Sequence, residues 1–439
     1  MAGYVSALAR FAADVASGAI PLPDDVRVRA RQIVLDSCGA MIAAQRLPEI
    51  EALSAALGRQ EGSLASLIVL GSAGVSLELD EGCAASRGHP GIHVVPAALE
   101  AAARRGSSGE ATLRAIVAGY EVAARLGAAT MFRHGVHPHG TWGGTGGAIA
   151  VGLLEGLGPD ALAQAIRIAA SLSVATHYEA VHEGVTARNL WAGLANAVSL
   201  LAVRAAASGF TGSDSAPAHV FGGTLGLGFD ARLAEAGLGS DWYMLRNYFK
   251  LYACCRHAHA SVDAFRAALG DQPIPADAIE AIAVATYGRA ADAVGASYRP
   301  ATPLAAKFSL PYMLSVYHGT GSLGPEMFEP PYLGDDRFHA LSDRVSVAED
   351  PAYTAMLPGV RPARVTLRLA DGSERIAEAL GSRGDPHDPL NGAEVEAKFR
   401  RVAGDRLGDR TDAVVDEILH IDARPDMRAI YGVLDTHLP

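Results

Sequence analysis

ARVTLRLADGSERIAEAL, residues 363–380, alternates apolar and polar side chains in a way that most of this chain does not. Val365, Leu367 and Leu369 fall on one face of an extended strand, and the Asp371-Gly372 pair behind them has the chemistry of a tight hairpin turn. IEAIAVATY (279–287) is compact and β-branched, and RVSV (344–347) alternates as well, so strands gather between about 270 and 385. On either side the period is helical. Upstream, Ala30, Ile33, Val34, Cys38 and Met41 recur at helical spacing behind Pro23, with Asp24 or Asp25 as the expected cap. Ser107 and Glu110 have the form of a capping box ahead of Leu113, Ile116, Val117, Tyr120 and Ala124. Downstream, Asn391 and Glu394 signal another cap before Val395, Phe399 and Val402. The expected fold class is mainly α: a large all-helical domain over 1–268, an inserted smaller α+β domain over 269–388, and C-terminal helices over 389–439 that return to the helical domain.

The chain has 439 residues, 49% of them hydrophobic and 19% charged, enough to bury a large core. A formal net charge of -11 with no run of Lys or Arg excludes nucleic acid as an expected partner, because phosphate binding needs a concentrated basic face. Four cysteines without a CxxC pair make no disulfide scaffold, and a reducing cytoplasm is the expected location. MAGYVSALARFAADVASGAIP interrupts its apolar period with Arg10 and Asp14, as an amphipathic helix does and a signal peptide does not. No uninterrupted apolar run of about 20 residues occurs, so no membrane-spanning helix is expected.

Histidines are unevenly placed. His89, His93, His134, His137 and His139 fall close together in sequence, and His257 and His259 form a second pair. Imidazole is the side chain best suited to moving protons near neutral pH. GVHPHGTWGGTGG (135–147) adds a glycine run to one of these pairs, yet has neither the spacing of a dinucleotide fingerprint nor the lysine of a phosphate loop. Its glycines are expected to let the following helix start tightly and pack closely. His137/His139 with His257/His259 would supply four nitrogens for zinc, but no HExxH or comparable ligand set accompanies them, and no metal is expected. LELDEGCAASRGHPG (77–91) clusters Glu78, Asp80 and Glu81 ahead of His89, where a carboxylate can orient an imidazole. FKLYACCRHAHASVDAF (249–265) gathers Lys250, Arg256, His257 and His259, which suits a substrate carrying several carboxylates.

Taken in order, ELDEG, HPG, VVPAALEAA, GYEVAARLG, GVHPHGTWG, RNLWAG, GFTG, FKLYACCRHAHASVDA, AAKFSLPY and the late EVEAKFR resemble the MmgE/PrpD family over nearly the whole chain. That family contains 2-methylcitrate dehydratase, cis-aconitate decarboxylase and iminodisuccinate epimerase. The resemblance implies a helical domain with a smaller α+β lid, a homodimer, a site between domains, and proton transfer beside a carboxylate without cofactor or metal. Carried over by motif, it implies catalytic roles for His89 and His137 as proton-transfer groups and for Asp80. Lys250 and His257 become anion-binding or proton-transfer groups, and Tyr312 a hydrogen-bond donor or acid. Arg188, Arg256, His259, Glu78, His139 and Lys307 are the expected substrate-binding set. Arg188, Gly82 and Val75 stand where better-known members carry lysine, threonine and histidine, which points away from 2-methylcitrate toward another small polycarboxylate. The expected reaction is that of a hydro-lyase, with decarboxylation or epimerisation as alternatives. From a different class, a non-catalytic carboxylate-binding or protein-interaction dimer is the alternative.

Overall fold

A computed structural model describes residues 3–58, 63–271, 273–296 and 299–435; Met1 and Ala2 of the first amphipathic stretch lie outside them. The chain divides into two compact units, one formed by 1–177, 187–249 and 390–439, the other by 178–186 and 250–389. The division therefore falls at Lys250, not at 269. The cation-rich stretch and the helix His259–Leu269 belong to the second unit, because that helix packs on its sheet.

The first unit is helical, and its closeness of packing comes from small side chains. Helix Gly143–Leu154 takes Gly143, Gly144, Gly146 and Gly147 of that run into its own N-terminal part and lies against Gly109–Ala129. A Cβ at Gly146 would come within 2.3 Å of the Gly119 carbonyl oxygen, so backbone meets backbone there. The glycines thus serve packing, as their spacing suggested. Ala97, Ala148, Ala165 and Ala202 continue the same tight contact into a buried cluster with Leu67, Val151 and Leu200.

Two of the expected caps differ. Helix Asp24–Ala44 starts at Asp24 behind Pro23 with no side-chain cap; the two aspartates sit in its first turn, where they favour the helix dipole instead. Ser108, not Ser107, caps Gly109–Ala129 by accepting from the Ala111 amide, and Glu110 turns outward to pair with Arg27 and Arg114. The Asn391/Glu394 capping box forms in full. Helix Ala187–Ala207 is, among the described residues, the one long and apolar enough to cross a membrane, with 56% of its apolar window buried inside the fold, as in a core helix.

The second unit carries a four-stranded sheet in the order Val345–Glu349, Ile279–Thr286, Ala363–Leu369, Glu374–Ala379. The first pair is parallel and the other two are antiparallel. Val365 and Leu367 are fully buried and Leu369 nearly so, and the hairpin turns at Gly372 with φ +82°.

Two short pairings inside the helical unit carry no alternating signal. Thr130–Phe132 pairs with Gly226–Phe229, and Gly82–Cys83 pairs with Asn247–Tyr248, placing Gly82 opposite Tyr248. The second of these ties the acidic segment to the chain just before Lys250.

Candidate active site

HPG is the start of a helix. His89 occupies the N-cap of Pro90–Arg105 with Pro90 at the first helical position, where a missing N–H costs nothing. Its Nδ1 donates to the Glu81 carbonyl at 2.8 Å, and Asp80 Oδ2 stands 2.9 Å from the same nitrogen. The carbonyl acceptor at Nδ1 fixes the tautomer: the proton sits on Nδ1 and the lone pair on Nε2, in the form of a base. Asp80 is fully buried while the His89 side chain keeps 12% exposure, so the carboxylate sits on the buried side of the ring.

His137 has the opposite tautomer. Its Nδ1 accepts the His139 amide at 3.2 Å, which leaves the proton of the neutral ring on Nε2. Thr176 anchors the same turn by donating to the His137 carbonyl at 2.6 Å. The His139 ring lies 4.8, 4.9 and 5.2 Å from those of His89, His137 and His93. Neither of its nitrogens has a hydrogen-bond partner among the described residues. Burial first, then the nearby charge of Arg188, holds its basicity well below the ordinary histidine value. His93 is structural: it donates from Nδ1 to the His89 carbonyl at 2.7 Å and accepts the Gly140 amide at Nε2, and burial pushes it down to about 4.

Arg188 and Glu78, both expected to bind substrate, form a buried ion pair with each other, and Arg188 also donates to the Val75 carbonyl. Glu78 adopts φ +54°, a left-handed conformation that a glutamate reaches only when its surroundings hold it there. The structure thus brings Glu78, Asp80, His89, His137, His139 and Arg188 into the first unit, with Arg188 paired to Glu78.

The six remaining expected residues lie in the second unit. Arg256 pairs with Asp385 and donates to His259 Nδ1 at 2.9 Å; His259 Nε2 then donates to the Cys254 carbonyl. Arg256 and His259 are thus bonded to each other, to Asp385 and to the chain at Cys254. His257 Nδ1 meets the Tyr287 hydroxyl at 2.6 Å. Lys250 and Lys307 are buried cations. Tyr312 is fully buried and its hydroxyl donates to the Met327 carbonyl at 2.8 Å. Burial first, then Asp335 and Glu329, makes that hydroxyl a weaker acid than an ordinary phenol.

Two supports escaped the sequence reading. Lys398, in the EVEAKFR stretch, is buried and donates to Asp36 at 2.5 Å and to the Leu79 carbonyl at 2.7 Å. Glu81 accepts the Gly91 amide at 2.6 Å and the Tyr120 hydroxyl at 3.1 Å. Together they clamp 79–81, the segment whose side chain and carbonyl hold His89. Sequence held a partial signal in each case: a lysine at a buried helical position, and a third carboxylate beside Asp80.

Burial pushes the Glu81 carboxyl up to about 8 from an ordinary 4.5, against the lowering effect of its Gly91 bond. A raised acid stabilises the fold fully below its unfolded value and loses that contribution as pH rises through the folded value. Glu81→Gln is therefore expected to flatten the dependence of melting temperature on pH between about 4.5 and 8, a difference on the order of several kcal/mol at the upper end. Parallel pH profiles for variant and wild type would show that Glu81 does not carry it.

Asp80, His89 and His139 also offer one ligand atom each within 4.8 Å of one another, a spatial grouping that motif spacing could not reveal. The proton that His89 donates to Glu81 occupies Nδ1, so coordination through that atom would require its removal.

A mainly helical chain with a buried carboxylate–imidazole cluster at a helix start is the class that this geometry defines. The MmgE/PrpD N-terminal domain model matches residues 6–229 and the MmgE/PrpD C-terminal domain model residues 252–421, and the chain belongs to that family. It is 24% identical to a cis-aconitate decarboxylase of Aspergillus terreus, over 99% of this chain and 96% of that protein. It is 23% identical to the cis-aconitate decarboxylase-like protein oryM of Aspergillus oryzae, over 95% and 94%.

Proposed function

We propose that the protein is a lyase acting on a small di- or tricarboxylate by proton transfer next to a carboxylate, without a metal or cofactor. The observation that carries this reading is the pair of opposite tautomers: His89 offers a lone pair at Nε2 and His137 a proton at Nε2. Removing a proton from carbon needs the first, and assisting departure of hydroxide needs the second, so one neutral protein state provides both for a dehydration. Asp80 stabilises the imidazolium that forms on His89. Lys250, Lys307 and His257 are assigned to carboxylate binding on the strength of the family resemblance. A homodimer in the cytoplasm is part of the same reading.

Decarboxylation is the second reading, supported by the names of the relatives. It needs a proton delivered to carbon after loss of carbon dioxide, which the His137 donor suits.

Metal-stripped protein is expected to turn over at least one of 2-methylcitrate, citrate, cis-aconitate and iminodisuccinate, followed by proton NMR in deuterated water. Vinyl signals from a saturated acid indicate dehydration, itaconate from cis-aconitate indicates decarboxylation, and deuterium wash-in without net product indicates epimerisation. Activity that returns only with added metal would sink the cofactor-free mechanism.

A further inference from the structure

His139 is fully buried, and a buried imidazole nitrogen ordinarily finds a partner, yet neither of its nitrogens does so among the described residues. Beside it stand a second imidazole and a carboxylate. The His89 ring lies 4.8 Å away between centroids with planes at 33°, and Asp80 Oδ2 is 2.9 Å from His89 Nδ1. One ligand atom from each of the three residues falls within 4.8 Å of the other two.

Two imidazoles and a carboxylate are a donor set for a transition cation of the zinc class. Such a cation bonds nitrogen and oxygen at about 2.0–2.2 Å, so its ligands stand about 3.4 Å apart in a tetrahedron. Asp80 and His89 are already within that separation, and His139 has to close by no more than about 1.4 Å. Lys398 holds the Leu79 carbonyl and the Gly91 amide holds the Glu81 carboxylate, so the segment that carries Asp80 is in place before an ion arrives.

Either nitrogen of His89 gives the same chemical result. Bonded through Nε2, the cation takes the lone pair that a base needs. Bonded through Nδ1, beside Asp80, it displaces the proton given to the Glu81 carbonyl, and the neutral ring then carries its one proton on Nε2. No lone pair remains at Nε2 in either case.

We propose that Asp80, His89 and His139 form an inhibitory site for a divalent transition cation of the zinc class, with water completing its coordination, and that the bound cation silences His89 as a base. The site stands on the geometry; its inhibitory consequence rests on the lyase reading and deepens it by naming a regulation of the same residues.

Cobalt(II), which occupies zinc sites and colours them, is the probe, with zinc in competition. Metal-stripped wild type is expected to bind a single equivalent of cobalt with visible d–d absorption. Zinc is expected to displace it and to abolish turnover with a midpoint that matches its binding. His139→Phe keeps a ring in the stack and removes both nitrogens, and Asp80→Asn removes the anionic ligand. Each is expected to weaken cobalt binding at least about a hundredfold, because loss of even an indirect support of a metal ligand costs on the order of 10–100-fold; either variant suffices if the other folds poorly. His420→Asn, which removes an exposed imidazole beside Asp416, is expected to bind as the wild type does. Cobalt binding that is absent from the wild type, or unchanged in both ligand variants, would overturn the site and leave the lyase reading standing. A wild type that binds cobalt as expected but turns over no acid would keep the site and remove the lyase, together with the inhibition that rests on it. Turnover that persists with the site filled would overturn the inhibition and, with it, His89 as the base.

Discussion

Replacing His89 by alanine is expected to lower turnover at least about a hundredfold while leaving the fold in place, the usual size of a general acid–base contribution. The ring caps no helix through its side chain: its Nδ1 proton goes to the Glu81 carbonyl, and 12% of the side chain is exposed. Removing it frees one carbonyl and leaves Asp80 a buried anion short of a partner, so some stability is lost along with the chemistry. Asp80→Asn separates the two. Because the Glu81 carbonyl holds the tautomer on its own, the amide removes charge and not orientation. Its loss should be smaller than that of His89→Ala, and confined to kcat. Steady-state kinetics with the substrate found by NMR, beside circular dichroism of each variant, decides the matter. Wild-type turnover in His89→Ala would dismiss His89 as the base, and a larger loss in Asp80→Asn than in His89→Ala would dismiss the division of labour.

The parts of this molecule legible in its sequence are those with a period or a local motif. Val365, Leu367 and Leu369 revealed a strand because one face of it is buried, and Asn391 with Glu394 revealed a helix start because both bonds of the box are local. Ser107 misled by one residue because Ser108 also fits a cap. His89 and His137 were visible as residues, but their tautomers were not, since each depends on a backbone atom that the fold brings near. Partnership was the least legible. Nothing in four cations within ten residues says that Arg256 meets Asp385, a residue more than a hundred positions away, and bonds His259 in turn. The close approach of Tyr248 to Gly82 was invisible for the same reason: nothing in NYFK says that a two-residue pairing will lay its phenol there.

Lys398→Met is expected to destabilise the helical unit by about 3–5 kcal/mol, the range for stranding one member of a buried ion pair. Lys398 is 3% exposed and Asp36 4%, and the ammonium also satisfies the Leu79 carbonyl. Burial already pushes the Asp36 carboxyl up, and Lys398 is the main influence holding it down. Without the lysine, Asp36 either stays charged in an apolar surround or takes up a proton. The double variant Asp36→Leu with Lys398→Met removes both charges and is expected to recover most of the loss. The orphaned Leu79 carbonyl keeps a residual cost of about 1–3 kcal/mol. All three tryptophans of the chain, Trp142, Trp191 and Trp242, lie in this unit, so urea titration followed by tryptophan fluorescence reports on it selectively. A coupling energy below about 0.5 kcal/mol across the double-mutant cycle would show the pair to be energetically idle. A strong coupling has a second consequence, because Leu79 adjoins Asp80. Loosening the clamp on 79–81 should let Asp80 drift from His89, so Lys398→Met is also expected to lower kcat under conditions where it remains fully folded.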